Sequence, residues 1–342
     1  MSAQDPQAAL MHLINGYQVT QDLHVAAVLG VADHLKDGPK PHDVVARACG
    51  AHPRSLYRLM RALAAVGVFD ETASKEFSLT AVGRCLTGDS ISSRPNWARF
   101  VGRPGPWHAW GNLLHSIRSG EAAYPVTHGT DAWSYRNQNP EEQASFDSAM
   151  TGNSLSQARA VIEAYDFRKF DSIIDIGGGQ GLLLSEILLA CPSSSGVLFD
   201  QPQVVASAGD VLAAAGLDQR VEVVAGSFLA AIPTGGEAYV MKAILHDWDD
   251  DKATEILRVC RRAMASTAML IVIERVIGPP NAVPEGKFSD LNMLVTHGAL
   301  ERTQEEFDEL FQRAGFELIE VVPTQSPLSV ILGNPRRKDA PQ

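Results

Sequence analysis

The segment SIIDIGGGQG, residues 172–181, decides the fold, because it joins a short apolar strand to a run of glycines. Glycines let the backbone turn tightly and approach a ligand closely before the next helix, which we predict from Leu182 to Ala190. The spacing differs from the dinucleotide pattern G-x-G-x-x-G, because that pattern, read from Gly177, needs a glycine where Leu182 stands. A nicotinamide cofactor is therefore disfavoured.

Beyond residue 170, short apolar segments alternate with helical ones, which predicts a doubly wound parallel sheet. The predicted strands include SIIDI (172–176), GVLFD (196–200), VEVVA (221–225), AYVMK (238–242) and AMLIVIE (268–274). At the end of the chain, FELIEVVPT (316–324) and LSVILGN (328–334) lie too close together for a parallel crossover, so we expect an antiparallel hairpin. The predicted fold class is α/β, a Rossmann-like sheet with a C-terminal antiparallel hairpin, and it resembles the layout of S-adenosylmethionine (SAM)-dependent methyltransferases.

The first 90 residues have a helical pattern. PHDVVARACGAHPRSLYRLMRALAAVGVF (41–69) predicts helix, turn and helix, and EFSLTAVGRCL (76–86) alternates like a short strand pair, which together outline a winged helix. We predict an all-helical winged-helix dimerisation domain over 1–90, a helical linker with acceptor-site helices over 91–165, and a catalytic domain over 166–342. Apolar stripes suited to a homodimer interface include Leu10, Met11, Leu13, Ile14, Val25, Ala26, Val28 and Leu29.

Composition narrows the class of protein. The net charge of -11 argues against a nucleic-acid or anionic-membrane binder, because both of those surfaces are negative. A winged helix carrying Arg54, Arg58 and Arg61 still leaves a ligand-sensing, DNA-binding regulator as an alternative. The four cysteines contain no CxxC pair, and no leader or long apolar run is present, so we expect a soluble, cytoplasmic protein without zinc or disulfides.

The chain resembles the small-molecule O-methyltransferase family, which includes plant caffeate and flavonoid enzymes and bacterial enzymes of antibiotic and phenazine biosynthesis. The likeness covers nearly the whole chain, and the run from Lys242 to Asp251 is its most specific part. The motifs that carry it are FDSAMTGNS (146–154), DIGGGQG (175–181), LFDQP (198–202), AGSFL (225–229), MKAILHDWDDD (241–251), IERVI (273–277), DLNMLV (290–295) and LERTQEEF (300–307).

The resemblance implies transfer of the SAM methyl group to a hydroxyl of a small aromatic molecule, with release of S-adenosylhomocysteine. His246 matches the general base of the family, and Glu274 and Glu301 match the carboxylates that hold its ring. The ordinary histidine pKa, about 6.5, would leave this base neutral near pH 7. Without the resemblance, Glu301 would be interpreted as a helix N-terminal charge and Glu274 as a solvent contact.

A second set of residues is expected to bind the cofactor. Asp200 ends the second strand, 19 residues after Gly181, and suits the ribose hydroxyls, although a turn before Pro202 is an alternative interpretation. Ser227 stands where the family often has aspartate, which weakens the expected adenine contact. The full predicted set is Asp175, Gly177, Gly179, Asp200, Ser227, Phe228 and Lys242.

No metal is expected, because no cluster of histidine and acidic residues with ligand spacing stands out in the sequence. Asp249, Asp250 and Asp251 are expected to cap the helix that follows them.

The acceptor pocket is expected to be aromatic and apolar, with a few polar residues that select substituents. The predicted contacts are Trp107, Trp133, Phe146, Met150, Asn153, Asp290 and Asn292. For any one of the apolar residues, core packing is the alternative interpretation. A family member diverted to hydroxylation, decarboxylation or a pericyclic reaction is a further alternative. Retention of His246, Glu274 and Glu301 argues against that diversion, because such enzymes need no base for methyl transfer.

Overall fold

The computed structural model describes residues 5–88 and 94–336, so the expected domain boundary between residues 90 and 91 lies outside the described residues. The first part of the chain combines helices with a small antiparallel sheet in the order β1-β3-β2. Its elements are α1 (Pro6–Ile14), α2 (Gly16–Val28), β1 (Lys40–Pro41), α3 (His42–Ala48), α4 (Pro53–Ala65), β2 (Phe69–Glu71), β3 (Glu76–Leu79) and α5 (Ala81–Arg84).

Two sequence expectations for this region are wrong. The domain is not all-helical, and only the first half of EFSLTAVGRCL is a strand, which pairs with β2. Thr80 then accepts a hydrogen bond from the backbone N–H of Gly83 at 3.0 Å and begins α5. Threonine at the N-cap of a helix satisfies an otherwise unpaired donor, so the chain turns into a helix where alternation predicted a second strand.

The middle of the chain is helical, as the sequence predicts. Its elements are α6 (Arg94–Val101), α7 (Pro104–Gly111), α8 (Leu113–Ser119), α9 (Ala123–His128), α10 (Ala132–Gln138) and α11 (Pro140–Ala164). None of the helices in the described residues is both long enough and apolar enough to cross a membrane.

The remaining chain forms a seven-stranded sheet with helices between its strands. The elements are β4 (Ser172–Ile176), α12 (Leu182–Ala190), β5 (Ser195–Asp200), α13 (Pro202–Val205), α14 (Ala208–Ala214), β6 (Val221–Ala225), β7 (Ala238–Lys242), α15 (Asp250–Ala263), β8 (Met269–Glu274), β9 (Val276–Ile277), α16 (Pro284–His297), β10 (Arg302–Thr303), α17 (Gln304–Ala314), β11 (Phe316–Pro323) and β12 (Ser329–Pro335). The strand order is β11-β12-β8-β7-β4-β5-β6. The strands β8, β7, β4, β5 and β6 are parallel, and β11 and β12 form the antiparallel hairpin at one edge, which confirms the predicted fold class.

Both faces of this sheet are buried, because successive side chains of a strand point to opposite faces. Ile173 packs into one core and Ile174 into the other, and Val240 and Met241 divide in the same way. The strand sequences are therefore apolar at nearly every position, and this pattern allowed the sheet to be predicted from the sequence.

The chain divides into two compact units. The first contains the residues up to 111 together with 132–153, and the second contains 112–131 together with the chain from 154 onward. The second unit holds the whole seven-stranded sheet.

Candidate active site

The candidate site lies at the carboxyl ends of β4 and β7, where the order of the sheet reverses. The chain leaves β4 for β5 on one side, while β7 pairs with the other side of β4. Ligands of doubly wound sheets bind at such a switch point. The glycine loop follows β4 and the segment with His246 follows β7, so the topology brings the two predicted motifs to one edge of the sheet.

The glycine loop needs its glycines for two different reasons. Gly177, Gly179 and Gly181 have φ angles of 68°, 63° and 83°, which side chains rarely adopt. Gly178 has an ordinary φ, but a Cβ there would lie 2.5 Å from Oδ2 of Asp175. The loop therefore folds directly over the Asp175 carboxylate.

Asp175 is a buried carboxylate with one oxygen that lacks a hydrogen-bond donor in the described part of the chain. Its side chain is 2% exposed, and its Oδ2 has no hydrogen-bond partner among the described residues. Burial raises the pKa of Asp175 to about 7, with Asp200 adding to the rise and Lys242 opposing it. A buried oxygen without a donor costs free energy, so a cationic or N–H donor group placed here would be stabilised.

Asp200 faces the same loop from the end of β5. Its Oδ2 accepts from the backbone N–H of Gly179 at 2.9 Å, and its Oδ1 accepts from that of Gln201 at 2.6 Å. The second contact is the turn before Pro202 that the sequence left as an alternative. Each carboxylate oxygen has more than one acceptor position, so these contacts leave capacity for hydroxyl donors.

The other predicted cofactor residues lie on neighbouring segments. Ser227 is exposed, and its Oγ accepts from the backbone N–H of Leu229 at 3.3 Å. The Phe228 ring meets Trp248 edge-on, with the ring centres 6.4 Å apart. Lys242 donates to Ser154 at 3.5 Å, and burial lowers its pKa although the charges of Asp175 and Glu274 oppose that change.

His246 stands in a short 3-10 turn, Leu245–Asp247, just after β7. The backbone enters the turn through Ala243, whose φ of 55° is unusual for a residue with a side chain. The N–H groups of Ile244 and Leu245 then both donate to Oε1 of Glu274, at 2.9 and 2.8 Å. The turn is therefore built around the carboxylate at the end of β8.

Both predicted carboxylates lie at the same ring nitrogen of His246. Nδ1 is 3.3 Å from Oε2 of Glu274 and 3.7 Å from Oε2 of Glu301. The side chains of Glu274 and Glu301 are 0% and 3% exposed, against 21% for His246. Nε2 on the other side of the ring is 3.5 Å from Oδ1 of Asp247.

Three residues hold Glu301, and only one of them, Asp290, was predicted from the sequence to belong to the site. Ser289 donates to its Oε1 at 2.7 Å, and Nε of Arg275 lies 3.5 Å from the same oxygen. Asp290, predicted as an acceptor contact, accepts from the backbone N–H of Glu301 at 3.0 Å. Ser289 adjoins the DLNMLV motif and Arg275 lies inside IERVI, so their position in motifs was the one available signal.

The charge state of His246 differs from the sequence expectation. Burial lowers its pKa, but Glu274, Glu301 and Asp247 outweigh that effect and raise the pKa to about 9. The ring is therefore mostly protonated at pH 7, and an ordinary value near 6.5 is wrong for this environment. Burial raises the pKa of Glu274, whereas for Glu301 the bonds to His246 and Ser289 outweigh burial and lower it.

The structure also brings together a set of possible metal ligands that the sequence did not indicate. One donor atom from each of His246, Glu274 and Glu301 lies within 4.8 Å of the others. The acidic run behaves as expected at Asp249, which caps α15 by accepting from the backbone N–H of Lys252 at 2.8 Å. Asp250 and Asp251 form ion pairs with Arg302 and Arg313.

The predicted acceptor contacts lie in both units. Trp107 lines an apolar cavity of about 460 Å³ in the first unit, together with Tyr17 and Trp110. Asp290 and Asn292 lie half-buried on α16 of the second unit.

Trp133, Phe146, Met150 and Asn153 belong to the first unit. The Trp133 and Phe146 rings meet edge-on, 5.9 Å apart, and Arg136, which sequence reasoning missed, lies over both. Phe146 also packs on Phe100. Met150 is half-buried, and the side chain of Asn153 lies outside the described residues.

Comparison with known families and proteins agrees with this architecture. Residues 110–317 match the model of the O-methyltransferase domain, and residues 11–89 match that of the O-methyltransferase dimerisation domain. The chain is 42% identical to the phenazine O-methyltransferase PhzM of Lysobacter antibioticus over 95% of both chains. It is 38% identical to the mitomycin biosynthesis 6-O-methyltransferase of Streptomyces lavendulae, over 91% of this chain and 89% of that one.

A solved structure with bound ligands is similar over most of its length. It is the O-methyltransferase NcsB1 from neocarzinostatin biosynthesis, in complex with SAM and 2-hydroxy-5-methyl naphthoic acid. The two chains are 35% identical, the TM-score is 0.79, and the match covers 93% of this chain and 96% of the other.

We expect the His246 imidazole to titrate near pH 9 in the protein, because two carboxylates face its Nδ1. NMR of histidine labelled with ¹⁵N measures this pKa directly. Glu301→Gln removes one of the negative charges and should lower the pKa, whereas Glu305→Gln, on the exposed face of α17, should not. A wild-type pKa near 6.5, or a Glu301→Gln pKa equal to that of the wild type, would contradict the interpretation.

Proposed function

The chain belongs to the O-methyltransferase family, and we propose that His246 is the general base with which this SAM-dependent enzyme methylates a phenolic hydroxyl of a small aromatic metabolite. The observation that carries this proposal is the position of both carboxylates at Nδ1, which leaves Nε2 to take a proton. Family membership also removes the DNA-binding regulator as an alternative.

The residues of the glycine loop fit SAM. Asp175 offers a buried oxygen without a donor, suited to the ammonium of the methionine part, and Asp200 offers acceptor positions suited to ribose hydroxyls. Ser227, Phe228 and Lys242 are proposed to contact the rest of the nucleoside. When bound, SAM supplies an electrophilic methyl group on a sulfonium.

His246 supplies the matching base. The carboxylates of Glu274 and Glu301 face Nδ1 at 3.3 and 3.7 Å, and their charges favour a proton on Nδ1, so that Nε2 carries the lone pair of the neutral ring. Nε2 would accept the hydroxyl proton of the acceptor, while SAM, when bound, would supply the methyl group and leave as S-adenosylhomocysteine after its sulfonium–methyl bond breaks. The imidazolium that results is stabilised by the same two carboxylates, so their charges favour the state that develops during the reaction.

The raised pKa of His246 reduces the fraction of the enzyme that carries the neutral, basic imidazole at pH 7. With a pKa of about 9, roughly one His246 in a hundred is neutral at pH 7, since each pH unit below the pKa reduces that fraction about tenfold. In return the neutral form is a stronger base, better matched to a phenol, whose own pKa is about 10 for the tyrosine side chain. A phenolic acceptor therefore suits this base better than an aliphatic alcohol does.

The acceptor is proposed to be a planar, fused aromatic phenol. The names of the relatives include a phenazine enzyme, and NcsB1 was solved with a naphthoic acid. Among the proposed contacts, Trp133 and Phe146 would contribute aromatic surface, and the polar Asp290 and Asn292 would choose among ring substituents. Trp107, Met150 and Asn153 complete the proposed set.

A homodimer is proposed from the surface of α1. None of its residues is buried in the described part of the chain, although Leu10, Leu13 and Ile14 are apolar and more than half exposed. An apolar helix face is stabilised by a partner, and the match to the dimerisation domain indicates a second copy of this chain. The four free cysteines fit a reducing compartment, so we also infer a cytoplasmic enzyme.

His246→Ala should lower kcat by about 10²–10⁴-fold while leaving the Kd for SAM within a few fold, because the base is lost and the glycine loop is not. Turnover can be measured with radiolabelled SAM and a panel of hydroxylated naphthalenes and phenazines, and SAM binding by calorimetry. His115→Ala, a histidine on α8, serves as the matched control and should retain turnover. Near-normal turnover of His246→Ala would remove His246 as the base.

Exhaustive chelation should leave turnover unchanged, although three potential ligands converge. Nδ1 of His246 faces the two carboxylates where a cation would have to bind, and the raised pKa opposes removal of the proton from the ring at pH 7. The measurement is the rate after dialysis against EDTA, with SAM binding as a control for folding. Loss of activity that a single divalent cation restores would show that the triad works as a metal site.

The intact chain should behave as a dimer in light scattering at micromolar concentration. Leu13→Glu, at the most exposed leucine of α1, should shift the mass towards that of one chain, because it places a charge in the proposed interface. Leu189→Glu on α12, where a leucine is also more than half exposed, is the matched control and should stay dimeric. A monomeric wild type would refute the homodimer.

A further inference from the structure

Arg302 is the largest fully buried side chain in the described part of the chain, with 1% of its surface exposed. Burial of a guanidinium is costly unless its donors are paired. Here each nitrogen has an acceptor: Nε donates to Oδ1 of Asp250 at 2.9 Å, one terminal nitrogen to the carbonyl of Leu245 at 3.0 Å, and the other to that of Trp248 at 2.9 Å. The side chain is therefore fully committed to one place.

The hydrogen-bond acceptors of Arg302 show that it binds the turn that carries His246. The carbonyls of Leu245 and Trp248 bracket His246 and Asp247, so the guanidinium spans the base of the turn that carries the imidazole. The backbone N–H of Leu300 also donates to the carbonyl of His246, at 3.3 Å. Segment 300–302 thus grips the turn at three carbonyls.

The covalent neighbour of Arg302 is Glu301, one of the two carboxylates at Nδ1. Arg302 begins β10, which pairs in parallel with β9. One residue, Arg275, separates β9 from Glu274. The two carboxylates and the turn with His246 come from three separate segments. The Arg302 side chain joins the segment of Glu301 to the turn of His246.

We propose that Arg302 is a positioning residue for the base: it holds the turn of His246 against the segment of Glu301 and so fixes Nδ1 between the two carboxylates. This inference rests on the proposed role of His246. Among the hydrogen bonds of the described residues, Arg302 makes none to the imidazole or to the glycine loop, and it holds the turn through the carbonyls of Leu245 and Trp248.

The planar fork of arginine suits this task better than lysine would. Three nitrogens in one plane reach two carbonyls three residues apart and a carboxylate together, whereas an ammonium is a single point on a flexible stem. The carboxylate alone does not explain the burial, because Asp250 is 54% exposed on its own side chain. The two carbonyls of the turn are the acceptors that require a buried, branched donor.

Loss of the Arg302 hydrogen bonds should change the His246 pKa, which a mere decrease in the stability of the fold would not do. The charged groups facing the His246 ring are Glu274 at the end of β8, Glu301 before β10 and Asp247 in the turn itself, with Arg275 acting on Glu301. Arg302 is not one of them. A variant that lets the turn drift therefore weakens the attraction of the carboxylates for the imidazolium, and the His246 pKa falls towards its ordinary value.

Arg220 offers a matched control. It too binds backbone carbonyls, those of Leu188, Cys191 and Ser194, but it lies between the amino end of β6 and the end of α12, at the opposite edge of the sheet. Arg220→Lys removes a similar carbonyl clamp with no connection to His246.

The experiment compares Arg302→Ala, Arg302→Lys and Arg220→Lys by Tm, kcat, KM for SAM and the NMR pKa of His246. A misplacement of about 1 Å can cost about 10²-fold in rate, so we expect kcat of Arg302→Ala to fall by about that factor with KM for SAM within twofold. Arg302→Lys should recover little of the loss. The His246 pKa should fall in both Arg302 variants, whereas Arg220→Lys should lower Tm and leave pKa and kcat unchanged.

If the Arg302 variants lower only Tm, with the wild-type His246 pKa and kcat per folded molecule, Arg302 is a structural residue and the proposal is wrong. Should either variant fail to fold, Asp250→Asn loosens the clamp from its exposed side and should move the His246 pKa in the same direction by a smaller amount. An unchanged pKa there would also overturn the proposal. The titration requires no methyl transfer, so it tests the clamp even if His246→Ala shows that another group is the base.

Discussion

The rest of the site depends on two buried carboxylates that face one nitrogen of one imidazole. Glu274 is fully buried and Glu301 nearly so, and a pair of like charges in such surroundings is stable only beside a positive group. His246 is that group, and in return its pKa rises to about 9. The amides of Ile244 and Leu245 and the hydroxyl of Ser289 bind the remaining carboxylate oxygens, so neither acid can turn away.

A second buried acid, Asp175, lies at the end of β4, next to the strand β7 that precedes His246. Lys242, at the end of β7, interacts electrostatically with Asp175 and with Glu274, while burial works against its charge. Lys242 is therefore a partly buried cation whose charge state depends on both carboxylate centres.

Sequence patterns predicted the parts of this molecule that depend on near neighbours along the chain. The strands were readable because both faces of the sheet are apolar, and the hairpin because residues 325–327 cannot form a crossover. The strand predicted after Thr80 failed because a hydroxyl cap outweighed a short alternation. The resemblance implied that Glu274 and Glu301 hold the His246 ring, but the pKa of that ring depends on how deeply the carboxylates are buried and how close they lie to Nδ1. Those quantities depend on the packing of segments 28 and 55 residues away along the chain. The role of Arg302 could not be predicted either, since two of its three acceptors are backbone carbonyls, which no residue type identifies in a sequence.

The proposed base and most of the proposed acceptor contacts belong to different units of the chain. His246, its two carboxylates, the glycine loop and Arg302 all lie in the second unit, and each is held by several contacts within that unit. Five of the seven proposed acceptor contacts, Trp107, Trp133, Phe146, Met150 and Asn153, lie in the first. A substitution among those five leaves the contacts that fix the base intact, whereas most substitutions around His246 would disturb a buried charge. Acceptor preference can therefore change with little cost to the methyl-transfer machinery, and this is the physical reason that the motifs identify the reaction and leave the acceptor open.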